Sequence, residues 1–465
     1  MRPFILTPLI VACALFMEQL DSTIVATSLP AIAADLHQDP IALKLSMTSY
    51  MLAQAVFIPA SGWVADRYGA RTVFRAAIVV FTLGSILCGL SSSLPQFVAA
   101  RIFQGCGGAM MAPVGRLVLF RSVERSEIVR AMAYLTIPAL VGPMLGPPLG
   151  GFISTYLNWR WNFWINVPFG LLGVVLATLY VQDAREENIG AFDAKGFLLT
   201  GLGLSSLIFG LTVLGRGFIG HDLNLGLILF GVVCTSFYIF HALRVENPIL
   251  DLRLLAIDSF RASVVGGFLF RVGVGATPFL LPLMLQLGFG MTPFQSGLTT
   301  FVATAGALVM KASAASALQR FGFKNTLVFN CLISAAFLAA NGLFRPDTPQ
   351  ALMLLTLFVG GFFRSLQFTA LNALAYADID HAAMSKATSF AAVAQQLSLS
   401  SGVAIAAAVV EQTRGRSIDA RIGALDFPPA FFVVAAITAA SALVFMRLPP
   451  DAGAALSGQG RQQAE

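Results

Sequence analysis

Apolar residues gather in long runs separated by short polar segments. The runs fall at roughly 4–30, 42–64, 74–93, 95–119, 128–153, 161–181, 196–216, 223–243, 261–287, 294–318, 325–344, 350–374, 387–411 and 429–447. At a rise of about 1.5 Å per residue, each is about long enough to cross a hydrocarbon layer of about 30 Å. The pattern predicts an all-α polytopic membrane protein with about 14 transmembrane helices. A transmembrane barrel would show short stretches of period-two alternation instead.

Composition agrees. The chain is 57% hydrophobic and 11% charged, with a mean hydropathy of +0.79, whereas soluble domains carry about 25% charged residues. The first run is too long for a cleaved signal and holds Glu18 and Asp21, so it reads as the first span. All five cysteines lie in apolar runs without metal-ligand spacing and read as small buried hydrophobes. The four histidines form no metal set, and a nucleotide-binding P-loop is lacking, which argues against an ATP-driven pump. No metal or cofactor is expected.

The net charge of +6 suggests a nucleic-acid partner until the charges are placed. With the N-terminus in the cytoplasm, eighteen lysines and arginines fall on the inner side and seven on the outer. Four more, Arg101, Arg271, Lys311 and Arg364, fall within spans. That asymmetry is a topology signal and puts both termini in the cytoplasm. The expected partners are the lipid bilayer and a small-molecule substrate, with no nucleic acid, and the chain is read as a monomer.

A weak internal repeat organises the spans. GWVADRYGAR at 62–71 aligns with ASALQRFGFK at 315–324, matching Arg67 with Arg320, Gly69 with Gly322 and Arg71 with Lys324. The two copies are about 60 residues further apart than six helices require. The expected order is therefore 6 + 2 + 6: a six-helix bundle over 1–185, a two-helix insert over 186–250, a second bundle over 251–450, and a cytoplasmic tail over 451–465. Two similar halves around a midplane site is a common plan for secondary transporters.

Several segments carry candidate chemistry. In the first loop copy, Gly62 and Gly69 allow close helix approach and a tight turn. Asp66 can meet a helix N-terminus or an arginine, beside Arg67 and Arg71. The loop reads either as a cytoplasmic gating latch or as plain topology signal. GPMLGPPLGG at 142–151 packs glycines and prolines into a span, where they permit a bend and near contact of backbones.

Glu18 and Asp21 share one helix face. Asp21 lies about 13 Å, and Arg101 about 9 Å, from the outer ends of their helices, so they can pair. Charged groups at such depth are costly and face an interior cavity. Burial disfavours a charged carboxylate and a nearby arginine favours it. One reading is proton coupling, in which protonation of Asp21 loosens its hold on Arg101 and favours one facing state. The other is a permanent structural pair, with Glu18 a polar contact. Arg271, Lys311 and Arg364 lie roughly 12–17 Å from the inner ends of their spans and suggest a basic layer. Such a layer would favour a small organic anion, for instance a carboxylate or its metal chelate. The alternative is pairing with backbone carbonyls or with the two acids. Gln54 and Gln367 are further candidates for substrate binding, or helix–helix glue.

Together, LDSTIVATSLP at 20–30, GWVADRYGAR at 62–71, RIFQGCGGAMMAPVGR at 101–116, GPMLGPPLGG at 142–151 and WRWNFWINVPFG at 159–170 resemble the signature segments of the major facilitator superfamily. Within it they resemble the fourteen-helix drug:proton antiporter branch. The resemblance covers nearly the whole chain. It implies the major facilitator fold and no enzymatic activity. It also implies multidrug efflux by alternating access, driven by the proton motive force across a bacterial inner membrane. Pro143, Gly146, Pro147, Gly150 and Gly151 match the antiporter signature of the fifth helix, and protons would be the only coupling ion.

Overall fold

The computed structural model describes residues 3–122, 128–181, 191–213, 220–380, 383–414, 422–449 and 452. Side chains are described for all of these except 3–6, 120–140 and 315. The expected domain boundary at 185/186 and all of the expected tail except residue 452 lie outside the described residues. Among those described there is helix and no strand.

Among the described residues, twelve helices are long and apolar enough to cross a membrane. The remaining two of the fourteen predicted runs, 128–153 and 294–318, are also helical, over Ile128–Tyr156 and Pro293–Lys311. The first has side chains outside the described set. The second carries Gln295, Ser296 and Lys311, which lower its apolar character. It also ends earlier than predicted, because a new helix starts at Ala314.

The backbone divides into two units. The first comprises residues 1–238 together with 292–297. Its helices are α1 (Pro3–Asp35), α2 (Lys44–Phe57), α3 (Ser61–Tyr68), α4 (Ala70–Leu90), α5 (Leu94–Ser122), α6 (Ile128–Tyr156), α7 (Trp161–Trp164), α8 (Asn166–Tyr180) and α9 (Ala194–Val213). It also holds most of α10 (His221–Arg244). The two predicted insert helices, α9 and α10, thus cluster mainly with this unit, and α9 packs on α2.

Small residues set the packing. The most extensive helix–helix interface is α1 with α6. Gly142, Gly146 and Gly150 recur every fourth residue and so share one face of α6. A Cβ on Gly142 would meet the Phe16 carbonyl, one on Gly146 would collide with Thr23, and one on Gly150 with the Ile24 carbonyl. Here backbones touch because no side chain intervenes. Gly151 faces the Pro293 carbonyl in the same way. The prolines of this segment do not break α6, which runs unbroken to Tyr156.

The RIFQGCGG segment of α5 works alike. Gly105 and Gly108 lie against Tyr50 of α2, and Gly107 against the backbone of Phe81 of α4. That lets α5 wedge between α2 and α4, with Phe74, Phe81 and Met111 buried in the shared core.

The second unit comprises residues 239–291 and 298–465. It contains α11 (Asp258–Arg261), α12 (Gly267–Leu283), most of α13 (Pro293–Lys311), α14 (Ala314–Asn341), α15 (Gln350–Leu374), α16 (Met384–Arg414) and α17 (Pro428–Phe445). Two π-helical turns, Ala262–Gly266 and Met284–Gly288, flank α12. The broadest interface of this unit is α12 with α16. Gly275 meets the backbone of Leu399 there, and Gly402 that of Val272. It is the second unit's version of the α1–α6 seam.

The repeat seen in the sequence reappears in the backbone. Gly69, between α3 and α4, has φ 91°, and Gly322, a kink within α14, has φ 71°. Both need the left-handed region that residues with a Cβ avoid. Gly62, the other glycine of the motif, corrects the reading. It is exposed, and a Cβ on it would meet nothing within 4 Å, so it allows no close helix approach.

Candidate functional site

Five elements of the first unit bring one polar network into an otherwise apolar core. Asp21, on α1, is fully buried, and Arg101, on α5, is 1% exposed. Arg101 Nη1 donates to Asp21 Oδ2 at 2.6 Å. Gln104, one turn further along α5, donates from Nε2 to Asp21 Oδ1 at 2.9 Å and accepts from Arg101 Nη1 at 2.6 Å. Asn166, at the start of α8, donates to Asp21 Oδ1 at 2.8 Å and to Ser85 Oγ of α4 at 2.9 Å. Arg101 Nε reaches the Ser46 carbonyl at 3.4 Å, and its guanidinium lies 4.1 Å over the Tyr50 ring of α2. Asp21 therefore has three donors, one of them a cation. Taking two charges out of water is repaid only when geometry and extra hydrogen bonds are this complete.

Glu18 is one turn away and differently served. It is 7% exposed, and its Oε1 accepts from Gln54 Nε2 at 2.8 Å. Its Oε2 is buried with no hydrogen-bond partner. Gln54 is anchored in turn by Tyr50, Nε2 to the phenol oxygen at 3.2 Å. A lone buried carboxylate is far more costly than the neutral acid. The two acids of one helix face are thus chemically distinct, one locked in an ion pair and one with an oxygen to spare.

In the predicted gating loop, Gly69 makes the turn into α4, and Arg71 Nη1 donates to the Val181 carbonyl at the C-terminus of α8, at 3.4 Å. A cation suits that helix end. Arg67 is exposed and Asp66 half-buried. Pro143, Gly146, Pro147, Gly150 and Gly151 lie on α6, along the seam described above, where Thr27 Oγ1 of α1 reaches the Pro147 carbonyl at 3.4 Å.

The second unit does not gather the predicted basic layer into one cluster. Lys311 is the last residue of α13 and exposed, not deep in a span; the predicted run continued to 318 across the break between α13 and α14. Arg271 of α12 is 4% exposed, donates from Nη2 to Asn372 Oδ1 at 3.2 Å, and lies 5.2 Å from the Phe368 ring centre. Arg364 of α15 is half-buried and lines a separate cavity of about 40 Å³, with Ser334 and Asn341 of α14 and Thr438 of α17 on its wall. Neither arginine meets a carboxylate among the described residues. Gln367 is fully buried between helices, accepting from Asn330 Nδ2 at 3.0 Å and donating to the Leu327 carbonyl at 3.2 Å. Gln54 instead joins Glu18.

Sequence reading missed Gln104, Asn166, Ser85 and Tyr50. Gln104 had a signal, since it lies three residues after Arg101 and so on the same helix face.

A multi-pass helical chain with a buried, hydrogen-bonded ionisable network belongs to the class of membrane transporters. Comparison with known proteins identifies it further. A profile of the Major Facilitator Superfamily matches residues 11–253 and 263–464, and the chain belongs to that superfamily. It is 37% identical over 451 residues to the "Putative multidrug resistance protein MdtD" of Yersinia pestis (strain Pestoides F), covering 96% of each chain. The protein of the same name from Yersinia pseudotuberculosis serotype O:1b (strain IP 31758) matches equally. Among solved structures, a D-xylose-proton symporter superposes with a TM-score of 0.69 at 15% identity, over 96% of this chain and 98% of that one. The nucleoside transporter NupG superposes with a TM-score of 0.59 at 13% identity, over 96% and 98%. The protein is a multi-pass membrane transporter, not an enzyme.

Proposed function

We propose that the protein is a proton-coupled exporter of drugs or other small molecules. It works by alternating access in a bacterial inner membrane, with both termini in the cytoplasm. Glu18 takes up and releases the coupling proton, and the Asp21–Arg101 pair holds the bundle in register around it. The observation that carries this reading is the contrast between the two acids: both carboxylate oxygens of Asp21 accept hydrogen bonds, from Arg101, Gln104 and Asn166, while Glu18 keeps Oε2 unpartnered. Protonation of Glu18 puts an O–H on an oxygen that has no hydrogen-bond partner and keeps the Gln54 bond, so it changes the local hydrogen bonding without breaking the ion pair. Each proton moved inward gains about 2.3 kcal/mol per 100 mV, which is the driving force for export. No cofactor is needed, and the working unit is a monomer.

A second reading is export of a small organic anion. It is favoured by Arg271, a buried cation with no carboxylate partner among the described residues and Nε unpartnered. Proteoliposomes with an imposed pH gradient test both. Drug export should require the gradient and disappear in Glu18→Gln. Gradient-driven export that survives in Glu18→Gln removes Glu18 from the coupling. Gradient-driven transport of a tricarboxylate, lost in Arg271→Ala, would favour the second reading.

A further inference from the structure

The cavity beside Arg364 carries a feature that the transport reading does not use. Three of the four hydroxyls on its wall are already engaged by their own helices. Thr277 donates to the Gly273 carbonyl at 2.8 Å, Thr356 to Leu352 at 2.8 Å and Thr438 to Val434 at 2.7 Å. Ser334 alone has no hydrogen-bond partner, although it is 7% exposed. Asn341, 6% exposed and two turns along α14, leaves its Oδ1 unpartnered, and no bond to a described residue fixes its amide. Either end of that amide can therefore face the void.

Arg364 makes no hydrogen bond or ion pair with any described residue. The rest of the wall includes Phe270, Phe337, Leu338 and Leu357, so the cation sits against a largely apolar wall. An uncompensated charge at such depth is the most expensive arrangement a membrane protein can hold.

We propose that this cavity binds a monatomic anion of the halide class, chloride under physiological conditions, as the counter-ion of Arg364. The guanidinium supplies the charge. The Ser334 hydroxyl and the Asn341 amide N–H supply two further donors. The cavity of about 40 Å³ has room for a small ion with one or two waters, since a single water needs about 10–15 Å³. The site is independent of the proton pathway in the first unit, and the proposal does not rest on the identity of the exported molecule.

The test is equilibrium binding of radioactive chloride to the full-length protein in nanodiscs of zwitterionic lipid. The expected result is saturable binding that bromide displaces and gluconate does not. Ser334→Ala should raise the half-saturating concentration at least about tenfold, the loss of one charge-assisted hydrogen bond. Arg364→Gln should abolish binding. If that variant does not fold, Ser334→Ala carries the test. Absence of saturable binding to the wild-type protein overturns the proposal and leaves the cavity to water. Unchanged affinity in Ser334→Ala overturns it by placing the anion elsewhere. Competitive displacement by a tricarboxylate also overturns it, because the anion would then occupy a larger site.

Discussion

Asp21→Asn keeps the shape of the side chain and removes its charge. Arg101, 1% exposed, is then a cation whose closest acceptors are the Gln104 amide oxygen and the Ser46 carbonyl. The new amide offers one acceptor oxygen where three donors converge, those of Arg101, Gln104 and Asn166. Its own N–H₂ group must also point at one of them. Breaking one partner of a buried ion pair costs about 3–5 kcal/mol, which lowers the folding equilibrium by between about 10² and 4 × 10³-fold. Arg101→Gln should cost a similar amount, since it strands Asp21. The double variant Asp21→Asn/Arg101→Gln has no stranded charge and should recover about 2–3 kcal/mol relative to the sum of the singles. The assay is reversible denaturant unfolding in mixed micelles, run as a double-mutant cycle. A cycle that closes within about 0.5 kcal/mol would show that the two groups do not depend on each other, and the reading of the network would fall.

Four other outcomes are expected. Glu18→Gln should change unfolding stability by no more than about 1 kcal/mol, the scale of one hydrogen bond, while removing pH-gradient-driven export; a large stability loss measured in the same micelles would mark Glu18 as structural. Gly146→Val should destabilise by about 1–3 kcal/mol because it forces α6 away from Thr23, read as a lower melting temperature. Gly69→Ala and Gly322→Ala should each cost about 1–2 kcal/mol for their positive φ, whereas Gly62→Ala, with open space around it inside α3, should be neutral or stabilise by up to about 1 kcal/mol. Lys311→Ala should leave binding of any transported anion unchanged where Arg271→Ala weakens it, as measured by isothermal titration.

The helices were legible because hydrocarbon imposes a length on every span, and a run of about 20 apolar residues has few other uses. Asp21 and Arg101 were legible for the same reason: a charge stands out against an apolar run, and counting residues from a helix end gives its height. Height is all that counting gives. It placed Arg271 and Arg364 at similar depth but did not show that Arg364 lines a cavity whose wall leaves out Arg271, because the direction around a helix axis depends on tertiary packing. Lys311 was misplaced in height as well, since the apolar run from 294 to 318 conceals the break between α13 and α14. Gln104, Asn166 and Ser85 were passed over because neutral polar residues occur throughout membrane helices as bracing. Only the ion pair they surround marks them as special. Gly62 was over-read by association with Gly69; a glycine in a motif is a backbone requirement only where φ or a neighbouring backbone demands it.

The glycine face of α6 has a practical use. With Phe16, Thr23 and Ile24 of α1 filling the space a Cβ would take at Gly142, Gly146 and Gly150, the two helices cannot slide or roll past each other without a steric clash. They are fastened like two planks of one board. A pair of spin labels, one on each, should report the same separation at every stage of the transport cycle. That gives distance measurements elsewhere in the molecule a built-in ruler.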